Sequence, residues 1–454
     1  MFHLSSDRER VVIIGAGASG LPIASQMRKE TKDIDITVIT KGRHVAYSPC
    51  ALPFVLHGVI ADFDSCIMKT PDDYEQVDIK ILTETTVERI DLENQRLEST
   101  AGVIEFDTLV IATGSFPFIP PIPGVDAEGV CVLKTIEDAQ RMAECIADVK
   151  EAVIVGAGAI GLEVGSALIS RGIKVTVVEL LPYVLPLILD PDMAQLVHNH
   201  LTDLGARVIC GSAVSEVFKD GDGKVRGVKV EDEEIPCQMV LMSTGVRPST
   251  GLAKEAGIEL GSSGGIETDC SLHVKVGRRY LPNVYASGDC VEVTKDFTYQ
   301  RTISPLGTSA WRLARVVADN IMGRNSYLAP FTSPNVCVVG DLQIGSVGLT
   351  THAANSAGIQ TQDRVSTGPS AARYYPERHM ITSKIIIDHF RRIVGGQIIS
   401  DGSGVKCRID TLSVAMASKM KVDDFAHVET CYAPPVSALV DPLTLTAQSF
   451  FDVC

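Results

Sequence analysis

The string VVIIGAGASGL at residues 11–21 returns almost unchanged as AVIVGAGAIGL at residues 152–162. Each copy runs from a β-branched stretch through Gly-x-Gly-x-x-Gly into a helical pattern, with Gly15, Gly17 and Gly20 in the first and Gly156, Gly158 and Gly161 in the second. That order predicts strand, tight turn and helix. In such a turn the first glycine permits the bend, and the second lets a pyrophosphate approach the backbone. The third lets helix and strand pack closely, with the phosphates at the positive helix end. One such motif also fits an ordinary glycine turn. Two copies, each followed by a second apolar run (IDITVIT at 34–40, IKVTVVE at 173–179), define a duplicated βαβ unit.

The end of the second strand separates the copies. Glu179 ends the later one, where a carboxylate hydrogen-bonds an adenosine ribose and repels the 2'-phosphate of NADPH, so NADH is expected there. Thr40 takes the same place in the first copy and leaves that ribose contact unassigned. One dinucleotide fold inserted in another points to FAD plus NAD(H). Three further strand-to-glycine endings fit a flavin site: LVIATG at 109–114 with Thr113 and Gly114, VLMSTG at 240–245 with Gly245, and NVYASGDC at 283–290 with Gly288 and Asp289. An Asp at such a strand end holds a ribityl hydroxyl. The fold class is α/β, with two Rossmann-like dinucleotide-binding domains, the NAD domain inserted in the FAD domain.

Composition agrees. At roughly 100–200 residues per domain, 454 residues make a modular chain, and 45% hydrophobic content provides for cores. A net charge of -15 argues against nucleic-acid binding. No apolar run approaches the ~18 residues of a membrane span, and MFHLSSDRER at 1–10 is too polar for a signal peptide, so a cytoplasmic protein is expected. The twelve cysteines show no CxxC pair and no zinc spacing with histidine, so no metal centre is expected.

Taken together, the two glycine motifs, Ala112-Thr113-Gly114, Thr244-Gly245-Val246-Arg247-Pro248, Ala286-Ser287-Gly288-Asp289, Gly395-Gly396-Gln397 and Tyr432-Ala433-Pro434-Pro435 resemble the FAD-dependent pyridine nucleotide-disulphide oxidoreductases. The resemblance covers nearly the whole chain. It is strongest to the single-cysteine branch of coenzyme A disulphide reductases, NADH oxidases and persulphide reductases. It implies an FAD domain at 1–118 and 246–326, an NAD(H) domain at 119–245, and an α+β dimerisation domain at 327–454 that forms a homodimer. Proline-rich FPFIPPIPG at 116–124 and residues 245–250 read as the two linkers.

Within Tyr47-Ser48-Pro49-Cys50-Ala51-Leu52-Pro53, Cys50 falls at the start of a short helix, where the macrodipole favours a thiolate. Two-cysteine relatives carry a second Cys five residues on. Here that residue is Val55, so a single thiol must exchange with an external partner or cycle through sulfenic acid. The resemblance makes Cys50 the redox residue, with Tyr432 and Tyr375 as phenols reaching the other subunit's site. It also places Arg28, Lys69, Lys406 and Arg408 in segments resembling coenzyme A contacts. The implied activity is NAD(P)H-dependent reduction of a small thiol-derived disulphide or persulphide, coenzyme A disulphide included. Two alternatives remain open: an NADH oxidase cycling through a Cys50 sulfenate, and a flavoprotein that reduces a protein electron carrier. Ala46, Pro49, Ala51, Thr40 and Trp311 depart from the common pattern of the branch.

Overall fold

A computed structural model describes residues 8–451; residues 1–7 and 452–454 lie outside the described part. Strand Glu9–Ile14 buries Val11 to Ile14 completely or nearly so. It pairs in parallel with Ile34–Ile39 on one side and Thr108–Ile111 on the other. A parallel strand flanked by helices is covered on both faces, and this explains its continuous rather than alternating hydrophobic run. The complete sheet has the order His273–Val276, Arg279–Ala286, Thr108–Ile111, Glu9–Ile14, Ile34–Ile39, Ile79–Leu82.

The second copy builds its own sheet, ordered Arg207–Cys210, Lys174–Glu179, Glu151–Val155, Met239–Met242, Val130–Cys131, and parallel throughout. The chain enters and leaves this unit through one short ribbon. Ser115–Pro117 pairs antiparallel with Val246–Pro248, a ribbon that overlaps the stretches read as linkers. Side chains lock the ribbon: the Thr113 hydroxyl donates to Ser249 O at 2.6 Å, and the Thr244 hydroxyl to Phe118 O at 2.6 Å.

Residues 335–400 form a five-stranded antiparallel sheet, ordered Asn335–Val339, Leu342–Gly348, Ile393–Ser400, Met380–Asp388, Thr361–Pro369. Helix Val405–Ala417 packs on it through Ile409 and Leu412. The middle strand Ile393–Ser400 is buried along its full length.

The cores do not follow the chain order. Leu52 and Leu56, from the helix after Cys50, sit in one cluster with Leu162, Val164 and Leu168 of the second glycine-turn helix, not with the core of the first module. That cluster continues to Val339 and Ile344 of the C-terminal sheet. Each fully buried leucine contributes about 1.5–3 kcal/mol, so the thiol-bearing helix is anchored to the inserted unit. A buried polar latch adds to this joint. Lys384, 4% exposed, lies 3.2 Å from Asp190 and 2.9 Å from Asp192, and Asp190 also accepts from Gln397 Nε2 and the Thr351 amide. Among the described residues, no helix is long and apolar enough to cross a membrane.

Candidate active site

The two glycine turns share one geometry. A Cβ on Gly15 would lie 2.0 Å from Ala112 O, and one on Gly20 would lie 1.9 Å from Gly15 O, whereas a Cβ on Gly17 would meet nothing within 4 Å. In the second turn, a Cβ on Gly156 would lie 2.6 Å from Ser243 O and one on Gly161 2.4 Å from Gly156 O, while Gly158 again faces open space. The outer glycines are required by packing, and the middle one leaves the backbone approachable. Helices Gly20–Glu30 and Ala159–Ser170 start at these turns with no side-chain cap and no acidic residue in the first turn. Amide donors and the positive helix end are therefore left for an anion, and both turns fit the pyrophosphate of a dinucleotide.

What braces each turn differs. In the second, the Glu179 carboxylate is 8% exposed and accepts from the amides of Ala157 at 2.7 Å and Leu181 at 2.8 Å. In the first, Thr40 Oγ1 accepts only from Gly42 N, at 3.3 Å, within its own bend. The support comes instead from the third strand ending: the Ser19 hydroxyl donates to Ser287 Oγ at 2.5 Å, and a Cβ on Gly288 would lie 3.2 Å from Ser19 Cβ. Gly114, Gly245 and Gly288 all have positive φ, which lets each strand turn sharply at its end. Asp289 follows directly. Its Oδ2 accepts from Ser115 Oγ at 2.7 Å, and Lys134 Nζ lies 3.4 Å away.

Cys50 is exposed in the single turn Pro49–Ala51, immediately before helix Leu52–His57. The thiol thus precedes the helix by one turn, and Pro53 occupies the first helical turn, where its missing N–H costs nothing. The far end of this helix is tied down: Arg171 Nε donates to Leu56 O at 2.5 Å. The approach to Cys50 is anchored as well. His44 Nδ1 lies 2.9 Å from Glu137 Oε1, and burial, followed by the Glu137 charge, pushes the Tyr47 phenol up to about 12. Glu137 is the second residue of helix Ile136–Ile146, three residues beyond Lys134, which contacts Asp289. Contacts therefore run without a gap from the Cys50 loop to the strand end proposed for the flavin.

Sequence reasoning did not find Lys134 or Ser115, because nothing local marks a lysine that acts 155 residues away along the chain. Nor was Tyr374 singled out. Tyr432 meets Tyr374, with the hydroxyls 3.2 Å apart and both rings exposed, and this hydrogen bond raises the Tyr432 phenol. Tyr375 is half-buried and lines a cavity of about 500 Å³ with Cys407, Arg408 and Asp441. Of the suggested coenzyme A contacts, Arg28 is buried and donates to the carbonyls of Thr31, Ile34 and Asp78, so its guanidinium serves the fold. Arg408 pairs with Asp441 at 2.7 Å and Lys406 with Asp410 at 2.5 Å; Lys69 lies over the Tyr74 ring. Trp311 is half-exposed on helix Gly307–Ile321, under Arg315.

Comparison with known proteins adds independent findings. Residues 9–313 match the model of the pyridine nucleotide-disulphide oxidoreductase family, and residues 334–442 match the dimerisation domain of that family. The chain is 42% identical to an NADH oxidase of Methanocaldococcus jannaschii, over 97% of this chain and 98% of that one. It is 27% identical to an NAD(P)H coenzyme A polysulfide/persulfide reductase of Pyrococcus horikoshii, over 97% and 98%. Its fold superposes on an NAD-dependent persulfide reductase from A. fulgidus with a TM-score of 0.94 and 33% identity, covering 98% of this chain and 83% of the other.

Proposed function

The chain belongs to the pyridine nucleotide-disulphide oxidoreductase family, and from that premise we propose that it is an FAD-dependent NAD(P)H oxidoreductase that reduces small disulphides or persulphides through Cys50. FAD at the first glycine turn and NADH at the second supply the two electrons when bound. Residues 1–118 and 246–326 form the flavin domain, 119–245 the NADH domain and 327–454 the interface domain. Thr113, Gly114, Gly245, Gly288 and Asp289 complete the cofactor contacts.

The observation that carries the reading is an exposed thiol that, among the described residues, forms no disulphide: Val55 stands five residues on, and Cys66 is buried. Such a cysteine takes its sulfur partner from outside. Cys50 attacks one sulfur of the incoming disulphide, the substrate S–S bond breaks, and the departing thiolate takes a proton. The Tyr374–Tyr432 pair is the donor, presented by a second copy of the chain in a homodimer. Lys134 and Ser115 hold the Asp289 carboxylate in place for the flavin ribityl chain. The relatives named for coenzyme A persulfide and coenzyme A disulfide support a coenzyme A thiol as substrate. A cytoplasmic setting agrees with the eleven described cysteines, all of them unpaired.

Glu179 and the run LLPYVLPLILD at 180–190, which lacks any basic residue for a 2'-phosphate, favour NADH over NADPH. A higher kcat/KM with NADPH would refute that preference.

The test is anaerobic NADH oxidation by FAD-loaded protein with coenzyme A disulphide, counting thiols released. Two thiols per NADH are expected, and Cys50→Ser should abolish this turnover while leaving flavin bleaching by NADH intact. Turnover retained in the variant would overturn the role of Cys50. A second reading has a specific observation behind it, the 42% identity to an NADH oxidase. In that case Cys50 cycles between thiolate and sulfenate, and NADH is consumed only when oxygen is admitted.

A further inference from the structure

Cys50 lies where the chain crosses from one core to another. Val45 is buried with Val38 and Ile39 in the core of the first sheet. Leu52 and Leu56 are buried with Leu162 and Leu168 in the core of the inserted unit. Between these anchors, no residue from 46 to 51 is buried, and Ala46 has a φ of +51°, in the left-handed region that a Cβ disfavours. Cys50 therefore sits on a short bridge that must absorb any displacement of the two units against each other.

One side chain holds the far end of that bridge. In helix Leu52–His57, the carbonyls of Phe54 and Val55 accept from the amides of Gly58, Val59 and Ile60, while Leu56 O accepts from Arg171 Nε at 2.5 Å. Arg171 is the C-terminal cap of helix Ala159–Ser170, whose N-terminus starts at the second glycine turn. One rigid helix thus connects the amides offered to the NADH pyrophosphate with the helix that follows the thiol.

We propose that Arg171 is a positioning residue for Cys50, and that through it a nucleotide bound at the second turn orders the thiol segment and makes Cys50 less reactive toward incoming disulphides. The proposal rests on the reading above, in which NADH binds that turn and Cys50 is the thiol in play. Bound pyrophosphate steadies the N-terminus of helix Ala159–Ser170. The guanidinium at the other end of the helix then holds Leu56 O more firmly, and the excursions of the bridge that present the sulfur become rarer. Cys50 opens to a disulphide once the oxidised nucleotide has left, which keeps the two half-reactions in sequence.

The test measures the rate at which iodoacetamide alkylates Cys50 in FAD-loaded full-length protein, with and without saturating NAD+, which leaves the flavin oxidised. Tryptic peptide 44–69 reports Cys50, and buried Cys66 in the same peptide is the internal reference. In the wild type NAD+ is expected to slow the reaction by about fivefold or more. Arg171→Met keeps the stem and removes the donor, so the slowing should largely vanish, and Arg171→Lys should restore part of it. A residue that merely stabilised the fold would change both rates alike. Slowing undiminished in Arg171→Met, or a wild-type rate that NAD+ leaves unchanged or raises, would overturn the proposal. NAD+ binding is followed in parallel by equilibrium dialysis. Bound NAD+ without effect overturns this proposal alone, whereas no bound NAD+ overturns the nucleotide assignment on which it rests as well.

Discussion

The two glycine turns are nearly the same string and make the same cradle, but they are held by different means. The second is self-contained, because Glu179 at the end of its own βαβ unit accepts the amides of Ala157 and Leu181. The first depends on chain that arrives more than 250 residues later, when Ser287, Gly288 and Asp289 dock against Ser19 and Ser115. A repeated motif therefore fixes the local shape, while the surroundings of each copy decide how that shape is braced.

The sharpest way to break the comparison is to fill the turns. Gly15→Ala places a Cβ on Ala112 O at a residue with φ of +119°; a loss of about 3–5 kcal/mol and of bound flavin is expected, read by chemical denaturation and by the flavin-to-protein ratio. Gly17→Ala meets no protein atom, so stability should change by less than about 1 kcal/mol while flavin retention still falls. Equal stability losses in the two variants would mean that packing does not distinguish the outer glycine from the middle one.

Next in size is Glu179→Ala, which leaves the Ala157 and Leu181 amides without their acceptor. A cost of about 1–3 kcal/mol is expected, together with at least a tenfold shrinkage of the NADH-over-NADPH ratio in kcat/KM. A change in stability with no change in that ratio would confine Glu179 to bracing the turn.

The smallest effect should come from Glu163, which aligns with Pro22 of the first copy. Burial pushes its carboxyl from 4.5 up to about 7, against one hydrogen bond from Val338 N that acts the other way. The folded chain holds this proton more tightly than the unfolded chain. Stability from the group is thus fully present below about pH 4.5 and is lost as pH rises through about 7. Glu163→Gln should raise stability by about 1–3 kcal/mol at pH 8 and leave it unchanged near pH 4.5, as read by denaturant unfolding at both values.

Much of the architecture was legible because it rests on local rules. Glycine spacing, apolar runs such as Val11–Ile14 and the strand endings at Gly114, Gly245 and Gly288 are set by backbone dihedrals and burial, which composition and periodicity record. The three-stranded antiparallel sheets Val214–Lys219, Val225–Val230, Glu233–Pro236 and Val87–Asp91, Arg96–Ser99, Gly102–Glu105 were not read, because their short, charge-bearing strands lack a clean alternation. Nor does any sequence period reveal which core a helix joins. Leu52 and Leu56 look like part of the first module until their neighbours are seen to be Leu162 and Leu168. Tyr374 goes unmarked for a related reason: adjacent residues in an irregular segment point in different directions, and only the fold brings the Tyr374 hydroxyl to that of Tyr432.

The ribbon formed by Ser115–Pro117 and Val246–Pro248 has an evolutionary consequence. Because Pro117 and Val246 are paired residues of one ladder, about 5 Å apart, a short turn could replace everything between them and still close the flavin domain. The inserted unit is thus a cassette that could be exchanged as a block without rerouting its host. The helix after Cys50 is the exception, since excising the cassette would strip Leu52 and Leu56 of their core. Any replacement of that block must keep a surface that receives Leu52 and Leu56, so the inserted unit and the helix that follows Cys50 constrain each other.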